Sequence, residues 1–252
     1  MSTEFSGRSA LITGSGVGIG RAVALRLAAR GAFVGVHYRS SRDEAEQTLR
    51  DIESAGGKGL LVQGDIAVED SANSIVDTFV AAAGRLDVLV NNAGEPIDRA
   101  TIESCPTELW RKIIDTNLTG TFFVTRRAIP HLRAHGNGAI VNNLSLSVQT
   151  GGANGAGAYA AAKGGIQVMT RTLARELAPQ VRTNAVMPGV IETRHHELST
   201  SAQRMAEYRD QTPLGRNGGA DEVAATIAFL ASDDASFLNG ALVDINGGRF
   251  LR

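Results

Sequence analysis

Residues 159–163 read Tyr-Ala-Ala-Ala-Lys. They sit in an Ala/Gly-rich run, 155–178, with leucines and paired charges toward its far end, which reads as one helix. Positions four apart share a helix face, so the Tyr159 phenol and the Lys163 ammonium can reach the same small volume. A neighbouring cation favours phenolate, and a lowering of roughly 2–3 units would bring the tyrosine within reach of neutral pH. A phenol tuned that way is a general acid or base for the oxygen of an alcohol or ketone. The same pair is equally an ordinary half-exposed helix face, so the surroundings must decide.

The elements that would position such a pair begin with an apolar strand, 10–13, that runs into Gly-Ser-Gly-Val-Gly-Ile-Gly, 14–20. A helical pattern over 21–29 follows, with Gly31 where a C-cap falls. Strand, glycine loop and helix form the setting in which backbone N–H groups and a helix dipole hold a pyrophosphate. A second strand, 32–38, ends His-Tyr-Arg-Ser-Ser-Arg, with no acid before Asp43. A carboxylate at that point binds a ribose 2′-hydroxyl and a basic residue a 2′-phosphate, so Arg39 and Arg42 favour NADP over NAD. A solvated basic turn is the plain alternative.

Helix 42–55, strand 59–63, helix 71–84 and strand 86–90 continue the alternation, the last strand apolar apart from Asp87, as buried parallel strands are. It ends in Asn-Asn-Ala-Gly, 91–94, at a strand's carboxyl end, where open α/β sheets bind ligands. Residues 107–133 read as a long helix with a bend near Gly120. Asn117 lies inside it despite poor helix propensity, which a side-chain hydrogen bond or a place in a proton path would explain. A fifth strand, 139–144, leads to Ser145 and Ser147; strands 181–187 and 238–245 and a helix 221–230 complete the series. The polar, weakly periodic stretch 190–219 reads as a lid over the site. The expected fold is therefore α/β, one doubly wound parallel sheet of Rossmann type with helices on both faces, in a single domain over 1–252.

Net charge of −1 and the lack of a basic block argue against nucleic acid as the main partner. The lone Cys105 rules out an internal disulfide and fits a reducing compartment. No signal-peptide pattern and no apolar run near ~18 residues is visible, so a soluble cytoplasmic protein without a membrane partner is expected. The adjacent His195 and His196 lack a third ligand for zinc, and no metal is expected; they read as solvated side chains or a substrate contact.

Taken together, the motifs resemble those of the short-chain dehydrogenase/reductase family over almost the full length. Thr13-Gly14-x-x-x-Gly18-Ile19-Gly20, Asn91-Asn-Ala-Gly94, Tyr159-x-x-x-Lys163, Pro188-Gly189 and Asp244-Ile-Asn-Gly-Gly248 carry the likeness. It implies hydride transfer between a nicotinamide and a ketone or secondary alcohol. Tyr159 would be the proton-transfer group, Ser145 (or Ser147) the partner of the developing alkoxide, Lys163 the holder of the cofactor ribose and keeper of an acidic phenol. Asn117 would anchor a water relaying protons to Lys163. The implied cofactor contacts are Gly14, Ser15, Gly18, Ile19 and Gly20 in the loop, and Tyr38 and Arg39 after the second strand. Asp65 and Ile66 would border the adenine, Asn92, Ala93 and Gly94 the ribose, and Pro188, Gly189, Ile191 and Thr193 the nicotinamide. The 213–218 and 230–233 patterns are similar to the 3-oxoacyl-carrier-protein reductase branch, for which Arg126, Arg127 and Arg133 would be the docking surface. Small ketones, sugars and steroids are alternative substrates, a non-catalytic dinucleotide binder an alternative function, and a homotetramer the assembly implied by the family.

Overall fold

A computed structural model describes residues 4–153, 155–193 and 200–251. Seven parallel strands form one sheet: β1 (Ser9–Ile12), β2 (Phe33–Tyr38), β3 (Lys58–Gln63), β4 (Val88–Asn91), β5 (Gly138–Asn143), β6 (Val181–Pro188) and a last strand, β9 (Leu242–Ile245). Their order is β3-β2-β1-β4-β5-β6-β9. Each parallel crossover needs a covering helix, and the chain supplies them on both faces. On one face lie α1 (Gly18–Ala29) and α2 (Arg42–Ser54), joined by the late helix α9 (Ala220–Ala231), with Val23, Leu27, Ile52, Val223 and Ile227 in its core. On the other lie α3 (Glu69–Ala83), α4 (Thr107–Ile114), α5 (Gly120–Arg133) and α7 (Gly157–Glu176), with Ile75, Phe79, Val124, Leu132 and Leu173 buried against Leu11, Leu89 and Ile140. A short helix α6 (Ser147–Thr150) precedes α7. Strand order reverses on either side of β1, which opens a crevice at the carboxyl ends of β1 and β4, the place where such sheets take ligands.

Two expectations gain detail and one, the start of the last strand, needs correction. The bend in the long helix is a π turn over Asp115–Thr119, ahead of Gly120, where the Asn117 side chain donates to the Ile113 carbonyl, 2.9 Å away. The last strand begins at Leu242 rather than 238, because the Asn239 and Asn184 side chains take the Thr183 and Ala241 amides, and Gly240 turns at φ +81°. The 190–219 stretch carries structure of its own: β7 (Ile191–Glu192) pairs in parallel with β8 (Gly218–Gly219), and α8 (Ala202–Asp210) lies between them. Ser201 caps α8 by accepting from the Arg204 amide at 3.2 Å. His195 and His196 fall outside the described residues.

Candidate active site

A cleft of about 690 Å³ runs along the carboxyl ends of the strands. Its floor is backbone. At Gly14, φ is +64°, and a Cβ there would lie 3.0 Å from the Ala93 Cα. A Cβ on Gly20 would come within 2.3 Å of the Gly14 carbonyl and 2.5 Å of Asn92 Nδ2, so only glycine lets α1 approach the loop this closely. The loop is tied to β4 and β5 by a chain of polar groups. Thr13 Oγ1 accepts from the Asn92 and Ala93 amides at 3.0 Å; Asn92 Nδ2 donates to the Thr13 and Gly14 carbonyls. Asn143 Nδ2 donates to Asn92 Oδ1 at 2.9 Å, and the Asn143 carbonyl accepts from Lys163 Nζ at 2.8 Å. The ends of β1, β4 and β5 are thus coupled to the lysine on α7.

Tyr159, Lys163, Ser145 and Ser147 all line this cleft. β5 delivers the serines and α7 the other two, and the Ser145 side chain is the one hydrogen-bonded to Tyr159. Ser145 Oγ also accepts from the Ser147 amide at 3.1 Å, while Ser147 Oγ is buried with no partner among the described residues. The expectation of an acidic phenol is overturned. Protein packs around the Tyr159 hydroxyl, although one edge of the residue meets the cleft, and burial pushes its pKa up to about 12 against a smaller opposing contribution from Ser145. Lys163 is itself 2% exposed and brought down to about 8 by burial. Its Nζ stands 5.7 Å from the centre of the Tyr159 ring and points at the Asn143 carbonyl. Desolvation opposes charge on both groups and outweighs the attraction that their spacing alone implied.

Asn117 is fully buried and lines no part of the cleft; it lies below Gly94, where a Cβ would meet Asn117 Oδ1 at 2.5 Å and Lys163 Nζ at 3.3 Å. Its Nδ2 donates to the Glu95 and Ile113 carbonyls, and its Oδ1 is buried without a partner among the described residues. Ser15 and Gly20 also stand off the cleft wall. Ser15 Oγ donates to the Ile12 carbonyl and accepts from the His37 amide, stitching β1 to β2, while Gly16 and Val17 face the cleft in its place. Gly14, Gly18, Ile19, Tyr38, Arg39, Asp65, Ile66, Asn92, Ala93, Gly94, Pro188, Gly189, Ile191 and Thr193 line the cleft.

At the β2 end, Arg39 faces the cleft, whereas Arg42 opens α2 and gives its Nε to Glu46 at 2.7 Å, so the pair of cations expected there reduces to one. Arg39 reaches Glu95, 3.4 Å away. Below them His37 is 2% exposed. Its Nδ1 accepts from the Gly14 amide at 2.9 Å, which leaves Nε2 to donate to the Gly64 carbonyl at 3.1 Å. Burial lowers its pKa to about 4, so the ring is neutral and braces the glycine loop. Sequence reasoning missed His37, Asn143 and Glu95. Only the repeated Asn-Asn at the ends of β4 and β5 hinted at the second of these. The residues present fit a dinucleotide: a side-chain-free cradle at a helix N-terminus, a cation at the β2 end and buried polar atoms along the floor.

A family model described as enoyl-(acyl carrier protein) reductase matches residues 14–249. An uncharacterized oxidoreductase of Methylorubrum extorquens is 38% identical over 249 residues, covering 98% of this chain and 99% of its own. A 3-oxoacyl-[acyl-carrier-protein] reductase of Staphylococcus aureus is 38% identical over 245 residues, 97% of this chain and 98% of that one. Among solved structures, an NADH-dependent reductase responsible for alginate metabolism superposes with a TM-score of 0.90 at 31% identity, covering 99% of this chain and 100% of that one. With a parallel sheet, a glycine cradle and a Ser-Tyr-Lys cluster in one cleft, the chain belongs to the short-chain dehydrogenase/reductase family and is a nicotinamide-dependent oxidoreductase acting on CH–OH or C=O groups.

Proposed function

We propose that the protein is a ketoreductase that works with NADP(H) in preference to NAD(H) and reduces a small carbonyl compound. The observation that carries this reading is geometric: the Tyr159 hydroxyl is hydrogen-bonded to Ser145, with Lys163 on the same helix, in the cleft that contains the glycine loop, and burial favours the neutral phenol. A neutral phenol is a proton donor, so the resting site is set to protonate an oxygen that becomes negative. Ser145 hydrogen-bonds that oxygen, and Tyr159 passes its Oη proton to it as the alkoxide forms. Lys163, fixed by the Asn143 carbonyl, holds a ribose hydroxyl. Asn117, whose Oδ1 converges with Lys163 Nζ beneath Gly94, serves the return of protons toward the lysine.

When bound, the dinucleotide supplies the hydride. Gly14, Gly16, Gly18 and Ile19 would hold its pyrophosphate and Asp65 with Ile66 its adenine. Asn92, Ala93 and Gly94 would hold the ribose, and Pro188, Gly189, Ile191 and Thr193 the nicotinamide. Arg39 and Ser40 supply the cation and hydroxyl for a 2′-phosphate where β2 offers no carboxylate.

A carrier-bound 3-oxoacyl thioester is the second reading, favoured by the likeness to the Staphylococcus aureus enzyme. Against it, the expected docking arginines are engaged: Arg126 with Glu69, Arg127 with Asp77 at 2.7 Å, and Arg133 with the Glu176 carbonyl at 2.8 Å. We also propose a homotetramer, since Trp110, Phe122 and Val168 leave apolar surface exposed on the neighbouring helices α4, α5 and α7. Light scattering that returns only monomer would refute it.

Tyr159→Phe tests the mechanism. It removes the proton and keeps the ring, so turnover of any carbonyl substrate drops by roughly 10²–10⁴-fold while NADP binding, read by fluorescence, persists. Undiminished turnover would end this assignment.

A further inference from the structure

Helix α8 buries none of its residues, yet it carries a well-defined polar assembly. Arg204 and Tyr208 are one helical turn apart, and Arg204 Nε donates to the Tyr208 hydroxyl at 3.2 Å. The Arg204 guanidinium lies 5.3 Å from the centre of the Tyr208 ring, and that of Arg249 lies 4.7 Å from it. A tyrosine held between two guanidiniums fixes both cations at little entropic cost. Arg249 Nη1 donates to the Tyr208 carbonyl at 3.3 Å and Nη2 to Gln211 Oε1 at 2.7 Å. Those partners are neutral, and among the described residues no carboxylate lies within ion-pair distance of Arg249. Burial, helped by the like charge of Arg204 and opposed by Tyr208, holds its pKa below the ordinary guanidinium value. Among the described residues Arg204 has one carboxylate, Glu207 Oε2 at 3.6 Å.

Arg204, Glu207, Tyr208 and Arg249 line the same cleft as Ser145 and Tyr159. Arg249 emerges just after β9, the edge neighbour of β6, while Arg39 stands at the end of β2. Those strands are five spacings apart, roughly 24 Å at about 4.8 Å each. The two cations on Tyr208 are therefore at the opposite end of the cleft from the adenosine site, and the pyrophosphate cradle at the start of α1 lies between. They line the same cleft as Pro188 and Gly189.

We infer that Arg204 and Arg249 form an anion subsite and that the carbonyl substrate carries a carboxylate. Among the described residues the two guanidiniums and Glu207 leave one net positive charge, the match for a monoanion, and a guanidinium fork suits the two oxygens of a carboxylate. The inference rests on the carbonyl-reductase reading and narrows it to oxo acids.

The test uses 2-, 3- and 4-oxopentanoate and their methyl esters with the intact protein and NADPH or NADH. At least one acid should exceed its ester in kcat/KM. Arg249→Gln should lower that acid-to-ester ratio on the order of ten- to a hundredfold, mainly through KM, and Arg249→Lys should restore part of it. An acid-to-ester ratio at or below one for all three pairs in the wild type overturns the inference. So does an equal loss on acid and ester in both Arg249→Gln and Arg204→Gln, which is the outcome for a merely structural stack. Thermal denaturation of the protein saturated with the oxidised dinucleotide, which has no hydride to give an oxo acid, decides the subsite without turnover. The acids should raise Tm more than the esters, and Arg249→Gln should abolish the difference. If no carbonyl compound is reduced but this difference is present, the reductase reading fails and the subsite stands; if the difference is missing in the wild type, the subsite fails.

Discussion

The two ends of the cleft are built by different means. The coenzyme half is backbone and strand ends: α1 buries Gly20, Ala22, Val23, Ala24, Leu27 and Ala28, and the loop before it is locked to β4 and β5 through Thr13, Asn92 and Asn143. The substrate half is side chains on α8, which buries nothing and is held through the β7–β8 pair and the stack on Tyr208. Burial against a sheet gives a geometry that few substitutions tolerate. A helix held by charges and an aromatic ring can change its residues at small cost in stability, so one scaffold can serve many substrates.

The largest effect expected from this contrast is at Gly20. In Gly20→Val the new Cβ would stand 2.3 Å from the Gly14 carbonyl, so α1 must retreat from the loop. Overpacking against backbone on this scale costs roughly 3 kcal/mol or more. Urea denaturation should show the loss, and calorimetry should find no saturable dinucleotide binding. An alanine scan of α8, by contrast, should shift stability by about 0.5 kcal/mol or less per position away from Tyr208. Equal costs at the two ends would break the comparison.

His37 sharpens the same contrast through pH. Its folded pKa of about 4 lies below the unfolded value of 6.5, so the unfolded chain binds more protons between those limits. Stability contributed by the neutral ring is complete above pH 6.5 and is lost as pH falls toward 4, about 3 kcal/mol in all. Burial is the main cause; the Gly64 carbonyl and Asp65 act in the opposite direction. Comparing urea midpoints at pH 7 and pH 4, His37→Asn should lose less than the wild type by about that amount, because asparagine does not titrate. Parallel pH profiles would show that the ring is not held neutral.

What the sequence disclosed follows the same division. Glycines at 14, 18 and 20, the small polar residues at 91–94 and the Tyr-Lys pair at 159 and 163 are legible because each answers a local backbone or helical constraint. The apolar run Val-Leu-Val of β4 gave its burial away in the same manner. Helix α8 was hidden because it has no apolar stripe for periodicity to detect. The π turn was hidden because what stabilises it, the Asn117 side chain reaching the carbonyls of Ile113 and Glu95, is partly non-local. Spacing placed Lys163 near Tyr159 but carried no information on desolvation, and desolvation sets the sign of the phenol's shift. His37 reads as one polar residue in a strand until β3 and the glycine loop close over it.

The smallest expected effect concerns cofactor choice at the adenosine end, where side chains also decide. Arg39 is paired with Glu95 at 3.4 Å, and both line the cleft with each roughly half exposed, 48% and 46%. A 2′-phosphate must compete with the Glu95 carboxylate for Arg39 and also meets its negative charge. Glu95→Gln removes both obstacles and leaves the backbone carbonyl that Asn117 uses in place. An exposed pair of this kind is worth about 1 kcal/mol at most, so the Kd for NADP should fall by up to roughly fivefold. That for NAD, which has no 2′-phosphate to gain from a released Arg39, should change less. Because the effect is a contest between exposed charges, raising salt should shrink it, whereas a packing effect would be indifferent to ionic strength. Equal changes for the two dinucleotides, or a difference that persists at 1 M salt, would mean that Arg39 does not read the phosphate and that cofactor choice is set elsewhere along the floor.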